Sequence, residues 1–172
     1  MSSQAETAAS RLCSACGICC NGVMFYRVLL QSIDSPRELI ALGLRWKRKR
    51  AEQFILQPCP AHQESKCAIY EQRPERCQLF ECRLLKRVAA REIDEPEALE
   101  KIREAVERAA DVNRLLDAAG KSDPKKPLAK RYEKITAEPV EGSSDPKAIA
   151  LREQLTLAMQ ELEELLDNDF RR

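Results

Sequence analysis

The sequence predicts a mainly α protein: a small, irregular, cysteine-rich domain organised by metal, followed by two long amphipathic helices. Three observations carry this expectation. Leucine and alanine supply much of the apolar content, while aromatic residues make up only 5% of the 172 positions, a composition that favours helices. All eight cysteines lie between positions 13 and 82. The cysteine-free remainder carries apolar residues at helical spacing. The expected organisation is a flexible N-terminus over residues 1–10, a cysteine-cluster metal-binding domain over 11–92, and a helical extension over 95–172 forming an antiparallel helix pair.

Taken in order, residues 1–10 are small and polar and lack the apolar core of a signal peptide. The apolar stretch around Val23, Phe25 and Val28 reads as extended. Ser35 can cap a helix that begins at Pro36, with Glu38 three residues after the cap and an end near Gly43. Arg45, Lys47, Arg48, Lys49 and Arg50 form a basic run around Trp46. Pro58 and Pro60 hold Cys59 in irregular backbone. A helix is expected from Pro74 through Cys77 and Leu85 to about Ala90. Pro96 opens a long helix ending at Gly120, with Leu99, Ile102, Val106, Ala109 and Leu116 on one face and Asn113 interrupting it. A loop rich in lysine and proline covers 121–130. The second long helix starts near Asp145 and Pro146, with Leu151, Leu155, Ala158, Leu162 and Leu165 forming its stripe. Such stripes can bury each other, dock on the cysteine domain, or meet a partner protein.

A formal net charge of +1 gives no overall field towards nucleic acid or anionic lipid. No stretch reaches the roughly 18 apolar residues of a membrane span, so the protein is expected to be cytoplasmic. There thiols stay reduced, and reduced thiols at close spacing are good ligands for soft metals. Four of them fall within Cys13-Ser14-Ala15-Cys16-Gly17-Ile18-Cys19-Cys20. Gly17 eases a turn that lets paired sulfurs address one ion, and main-chain N–H groups in such turns stabilise thiolate. The other four are Cys59, Cys67, Cys77 and Cys82. Cys77 and Cys82 stand about 140° apart around an ideal helix, so both can serve one metal only if the helix begins after Cys77 or is distorted; otherwise their roles differ. The spacing is not that of a simple zinc ribbon. Cys13, Cys16 and Cys19 imitate the first part of a bacterial ferredoxin run. Eight thiols could hold two four-coordinate sites, or one cluster with four cysteines left over.

Two segments carry a family resemblance: Cys13 to Cys20, and Cys67-Ala68-Ile69-Tyr70-Glu71-Gln72-Arg73-Pro74-Glu75-Arg76-Cys77-Gln78-Leu79-Phe80-Glu81-Cys82. Together they resemble the CxxCxxCC cysteine-cluster proteins, described as candidate zinc- or iron-chelating domains. All eight cysteines match the family pattern, as do Tyr70, Arg73, Pro74 and Phe80. Gln78 and Glu81 depart from the arginine and proline usual at those positions. The match spans roughly residues 11–90. It implies a bound metal or cluster, with Cys13, Cys16, Cys19, Cys20, Cys59, Cys67, Cys77 and Cys82 as its ligands, and it says nothing of the helical extension.

Around the thiols, Arg73, Tyr70 and His62 are candidates for contacts just outside the ligands. Arg73 could offset thiolate charge or pair with Glu71 or Glu75. His62, the single histidine, could ligate or support. The basic run could grip phosphates with Trp46 stacked on a base, meet an acidic redox partner, or pair with the acidic group of Glu161, Glu163, Glu164, Asp167 and Asp169. Hydrolase motifs, phosphate-binding loops and dinucleotide fingerprints are missing, so no reaction can be named. The leading expectation is an iron–sulfur protein, of 4Fe–4S type, acting as a redox or accessory component. The alternatives are a protein-interaction module stabilised by one or two zinc ions, and a zinc-stabilised nucleic-acid binder that uses residues 45–50.

Overall fold

The computed structural model describes residues 7–64, 66–137 and 145–171. The expected flexible N-terminus falls mostly outside these residues. Helix α1 (Ala8–Cys16) begins where the Thr7 side chain accepts the Ser10 N–H at 3.1 Å, the capping geometry that favours threonine there. It ends at Gly17, which takes φ +64° and returns its N–H to the Cys13 carbonyl at 3.1 Å, a left-handed cap that glycine adopts without steric cost.

The chain then builds a small antiparallel sheet, in the order β1 (Arg27–Leu29), β3 (Glu52–Leu56), β2 (Trp46–Lys49). Between β1 and β2 lies α2 (Pro36–Ala41), capped by Ser35. The basic run is thus an edge strand in a hairpin with β3, turned at Arg50 with φ +55°. Lys47, Arg48, Lys49 and Arg50 are exposed, whereas Arg45 donates to the carbonyls of Pro58 and Lys125 at 2.5 and 2.9 Å. Two residues per strand make up β4 (His62–Gln63) and β5 (Lys66–Cys67), in which His62 faces Cys67.

The single helix expected from Pro74 to Ala90 is instead broken in two. After a 3-10 turn at Tyr70–Gln72 come α3 (Glu75–Leu79) and α4 (Arg83–Ala89). Phe80 takes an extended conformation, with ψ 120°, and its ring meets Phe25 edge to face at 5.1 Å. Burying that aromatic pair outweighs continuing the helix, and Cys82 becomes the residue that precedes α4.

Helix α5 (Glu95–Ala118) starts at the Asp94 cap, with Pro96 in its first turn, and α7 (Pro146–Asp169) follows the Asp145 cap. Ion pairs of Lys101 with Asp169 and Arg108 with Glu161, both 3.0 Å, run the two helices antiparallel. The buried face of α5 differs from the expected stripe. Ala98, Ala105 and Val112 are fully buried beside Ile102, Ala109 and Leu116, while Val106 is 39% exposed. The reason is that α5 is packed by α1 as well as by α7, which widens its apolar arc towards small residues that permit close approach. Residues 128–130, expected as loop, begin a third helix, α6 (Leu128–Ala137). It is tied to α5 by the buried Arg131, which donates to the Lys121 carbonyl, Asn113 Oδ1 and Asp117 Oδ1 at 2.7, 2.5 and 2.6 Å. Asn113 is therefore a partner to this arginine rather than a flaw in a stripe.

One apolar core joins Leu12, Ile18, Val23, Met24 and Leu84 from the cysteine-bearing half to α5, α6 and α7. A second, smaller cluster of Leu39, Leu44, Ile55, Ala61 and Ile69 sits beneath the sheet. The acidic group near the C-terminus does not meet the basic hairpin. Asp169 pairs with Arg87 and Lys101, Glu161 with Arg108, and Glu163 and Asp167 with Arg171, because α7 delivers these carboxylates to cations of α4, α5 and the residues just past its own end. No helix among the described residues is long and apolar enough to cross a membrane. Leu12, 1% exposed in the shared core, tests the union of the two halves. Leu12→Ala should cost about 2–5 kcal/mol and lower the thermal midpoint of the whole helical signal, followed by circular dichroism.

Candidate metal centre

Helix α1 presents Cys13 and Cys16 three residues apart, hence on one face. Beyond the Gly17 cap, the Cys20 and Asn21 N–H groups both return to the Gly17 carbonyl at 2.9 Å, a turn that carries Cys19 and Cys20 back over the helix end. Their sulfurs are 3.7 Å apart. The Cys59 N–H then donates to the Cys20 carbonyl at 2.8 Å, which brings the second cysteine segment to the first. The β4–β5 ladder sets Cys67 opposite His62, and the Cys77 N–H bonds the Pro74 carbonyl at 2.8 Å at the head of α3. All eight cysteines are free thiols; Cys13 is exposed and the others are half-buried.

Their mutual electrostatic influence falls mostly within two groups, although Cys19 also acts on Cys77 and shares a hydrogen bond with Cys20 across them. Partial burial of its sulfur and negative charge on Cys19 and Cys82 together push Cys13 up to about 11. Cys16 is pushed up to about 12 by burial, with Cys19, Cys82 and Cys13 adding to the rise. Burial also raises Cys82, and Cys19 is the thiol that acts on it. In the other direction, Cys77 is pushed up to about 12 by burial, then by Cys59, Cys19 and Cys67. Cys59 is raised by burial and by Cys67. Cys20 is raised first by sharing a hydrogen bond with Cys19, then by burial, and also by Cys59 and Cys77. Cys19 is lowered, chiefly by that shared hydrogen bond. The first set is Cys13, Cys16, Cys19 and Cys82; the second is Cys20, Cys59, Cys67 and Cys77. The sets touch at the vicinal pair. Packing divides them the same way: Cys16 and Cys82 lie on the large core, Cys59 and Cys67 on the small cluster.

Among the described residues, no three Cys, His, Asp or Glu side chains stand in a ligating array. A cation has to draw the sulfurs of a set together while displacing their protons. The surroundings nevertheless fit thiolate–metal chemistry. The donors are soft and reduced. Main-chain amides favour the anionic sulfurs: Ile18 acts on Cys16, Ala61 and His62 on Cys59, and Leu84 and Leu85 on Cys82. Arg73 does not pair with Glu71 or Glu75. It donates to the Tyr70 carbonyl at 2.9 Å and lies over the Tyr70 ring at 3.8 Å, and its charge lowers Cys13, Cys19 and Cys77. The guanidinium thus acts on both sets. Tyr70 itself is half exposed and orients this arginine.

From the sequence, His62 is a candidate ligand or supporting contact beside Cys59 and Cys67. In the fold its ring reaches the other set. A β-carbon placed on Gly17 would lie 2.6 Å from His62 Nε2 and 2.7 Å from Cε1. The Nε2 atom is buried and has no hydrogen-bond partner among the described residues, and burial lowers the pKa of the ring. Sequence spacing offers no signal for this contact, since 45 positions separate the two residues.

Fold and site together define a mainly α protein with a reduced cysteine cluster suited to soft metal ions. The model of the CxxCxxCC family, described as a candidate zinc- or iron-chelating domain, matches residues 12–107, more than half of the chain. The chain belongs to this family. The matched region holds all eight cysteines and runs into α5, the surface on which α1 packs. No curated protein and no solved structure matches the chain.

Two measurements test this account of the site. Metal uptake by the metal-free chain should release protons and tighten as pH rises through the neutral range, about tenfold per pH unit for each thiol that loses its proton on binding. Chelator competition at two pH values reads this, and an affinity independent of pH would contradict it. Gly17→Ala should destabilise the chain more in the presence of His62 than in a His62→Ala background. The expected coupling is about 0.5–3 kcal/mol in denaturant unfolding, above the cost of the left-handed conformation, which is common to both backgrounds.

Proposed function

We propose that the chain is an iron–sulfur protein of redox or accessory function. In this reading Cys13, Cys16, Cys19 and Cys82 hold a 4Fe–4S cluster, and Cys20, Cys59, Cys67 and Cys77 hold a four-coordinate zinc ion. The observation that carries it is the division of the thiols. The first set has the order C-x2-C-x2-C with a remote fourth cysteine, an arrangement suited to an iron–sulfur cluster. The second set draws on four separate backbone segments, and two of its members, Cys59 and Cys67, pack on an apolar cluster of only five buried residues, where a structural ion can supply the stability that so small a core lacks.

When bound, such a cluster supplies one-electron transfer. The chain's own groups do the rest. Arg73 offsets part of the negative charge that thiolates and cluster accumulate. The amides of Ile18, Leu84 and Leu85 stabilise the sulfurs. Leu12, Ile18 and Leu84 keep water from one side, and exposed Cys13 marks the side that a redox partner can approach. An acidic partner could use the Lys47–Arg50 edge strand for docking, by charge complementarity.

A zinc-only protein is the second reading, favoured by the same closure of loops in the second set. The interaction-module version has less support, since the apolar faces of α5 and α7 are largely consumed in the protein's own core. The nucleic-acid version keeps the exposed cations, but Trp46 is half-buried with its indole nitrogen inside, which leaves less of the ring for stacking.

Anaerobically purified protein should be brown and contain about four iron and four sulfide per chain, together with about one zinc. Cys82→Ala should lose iron, sulfide and colour and retain zinc, while Cys67→Ala should do the reverse. Colourless protein with zinc alone would sink the iron–sulfur reading in favour of the second. Loss of both metals together in both variants would sink the division into two sets.

A further inference from the structure

The backbone of His62 is tied to the segments of one sulfur set, and its ring packs against Gly17, between Cys16 and Cys19 of the other. Its N–H donates to the Cys59 carbonyl at 3.1 Å, and the same amide favours the Cys59 thiolate. Its strand pairs with that of Cys67. The imidazole, however, occupies the space that any side chain at position 17 would need, within the Cys16–Cys19 turn. Leaving a buried ring nitrogen without a partner costs free energy. If the ring were only filling space, an apolar side chain would serve without that cost. Among the described residues no atom satisfies Nε2, thiol sulfurs included; a group bound within the turn would supply that partner.

We infer that His62 is a positioning residue for the first set: its Nε2–H donates a hydrogen bond to the centre held by Cys13, Cys16, Cys19 and Cys82. This rests on the metal-centre reading above and adds to it a link between the two sets. A donor facing the sulfurs of a cluster stabilises the more negative, reduced state and raises its potential. Ordering β4 through the second set would then place the donor that tunes the first.

The test compares the wild-type holoprotein with His62→Phe, which keeps a flat ring without the donor, and His62→Gln, which keeps an N–H. Two quantities are read: the midpoint potential in an anaerobic spectroscopic titration, and the rate at which a chelator removes the metal that Cys82→Ala abolishes. His62→Phe should shift the reduced-to-oxidised equilibrium about tenfold towards the oxidised form, about 59 mV downward for one electron. It should also release that metal about tenfold faster. His62→Gln should recover most of both. Wild-type values in His62→Phe would overturn the inference, and so would a His62→Gln protein as impaired as the phenylalanine variant. Should phenylalanine prevent folding, His62→Leu provides the same comparison. If the wild type holds no iron or sulfide, the iron–sulfur reading fails on its own. The metal-release comparison then still decides the role of His62, for whichever ion the first set holds.

Discussion

The left-handed turn at Gly17 governs how the cysteine-bearing half is put together. It stops α1 immediately after Cys16, so that Cys13 and Cys16 remain on a rigid helix while Cys19 and Cys20 fold back over its end. The carbonyl of Cys20 then receives the N–H of Cys59, and the absence of a side chain at Gly17 leaves room for the His62 ring. One residue without a β-carbon thus satisfies a helix end, reverses the chain, and admits a side chain from a distant segment. A substitution here meets both an unfavourable φ and a filled space.

Charge is the opposing constraint. Burial and mutual repulsion hold most of these thiols in the protonated form, so the sulfurs are neighbours that resist ionising together. Amides from the Gly17 turn, the β4 segment and the start of α4, together with the Arg73 guanidinium, push the other way. A soft cation resolves the conflict by taking the place of the protons. Arg73 can act on both sets because the Tyr70 carbonyl and ring fix its guanidinium.

The helical region is not appended to this site but shares a core with it. Leu12, Ile18 and Leu84 bury themselves among residues of α5, α6 and α7, and Phe170 at the end of α7 accepts the Arg83 N–H at 3.0 Å directly after Cys82. The family match, which runs beyond the last cysteine into α5, follows the same logic: α1 carries two of the cysteines and needs α5 to cover its apolar face. The first sulfur set is therefore held between a helical core and a turn. The second hangs on short strands and a small apolar cluster.

Much of this was legible in the chain itself. Ser35, Pro96 and Asp145 mark helix starts because the residues that begin a helix are adjacent in sequence; the Asp94 cap itself emerged only in the fold. The cysteine spacing and the Ile-Tyr-Glu-Gln-Arg-Pro stretch disclosed the family for the same local reason. The break at Phe80 was not legible, because it is decided by Phe25, 55 positions away. Nor was the burial of Ala98 and Ala105, which depends on α1 arriving beside α7, or the role of Asn113, which waits for Arg131. Local rules determined which residues begin helices and which atoms can bind a soft metal. Only the tertiary structure decided which cysteine segments come together, what the arginine and the imidazole pack against, and which half-periodic positions are inside. Burial and charge act between atoms close in space, whatever their distance along the chain.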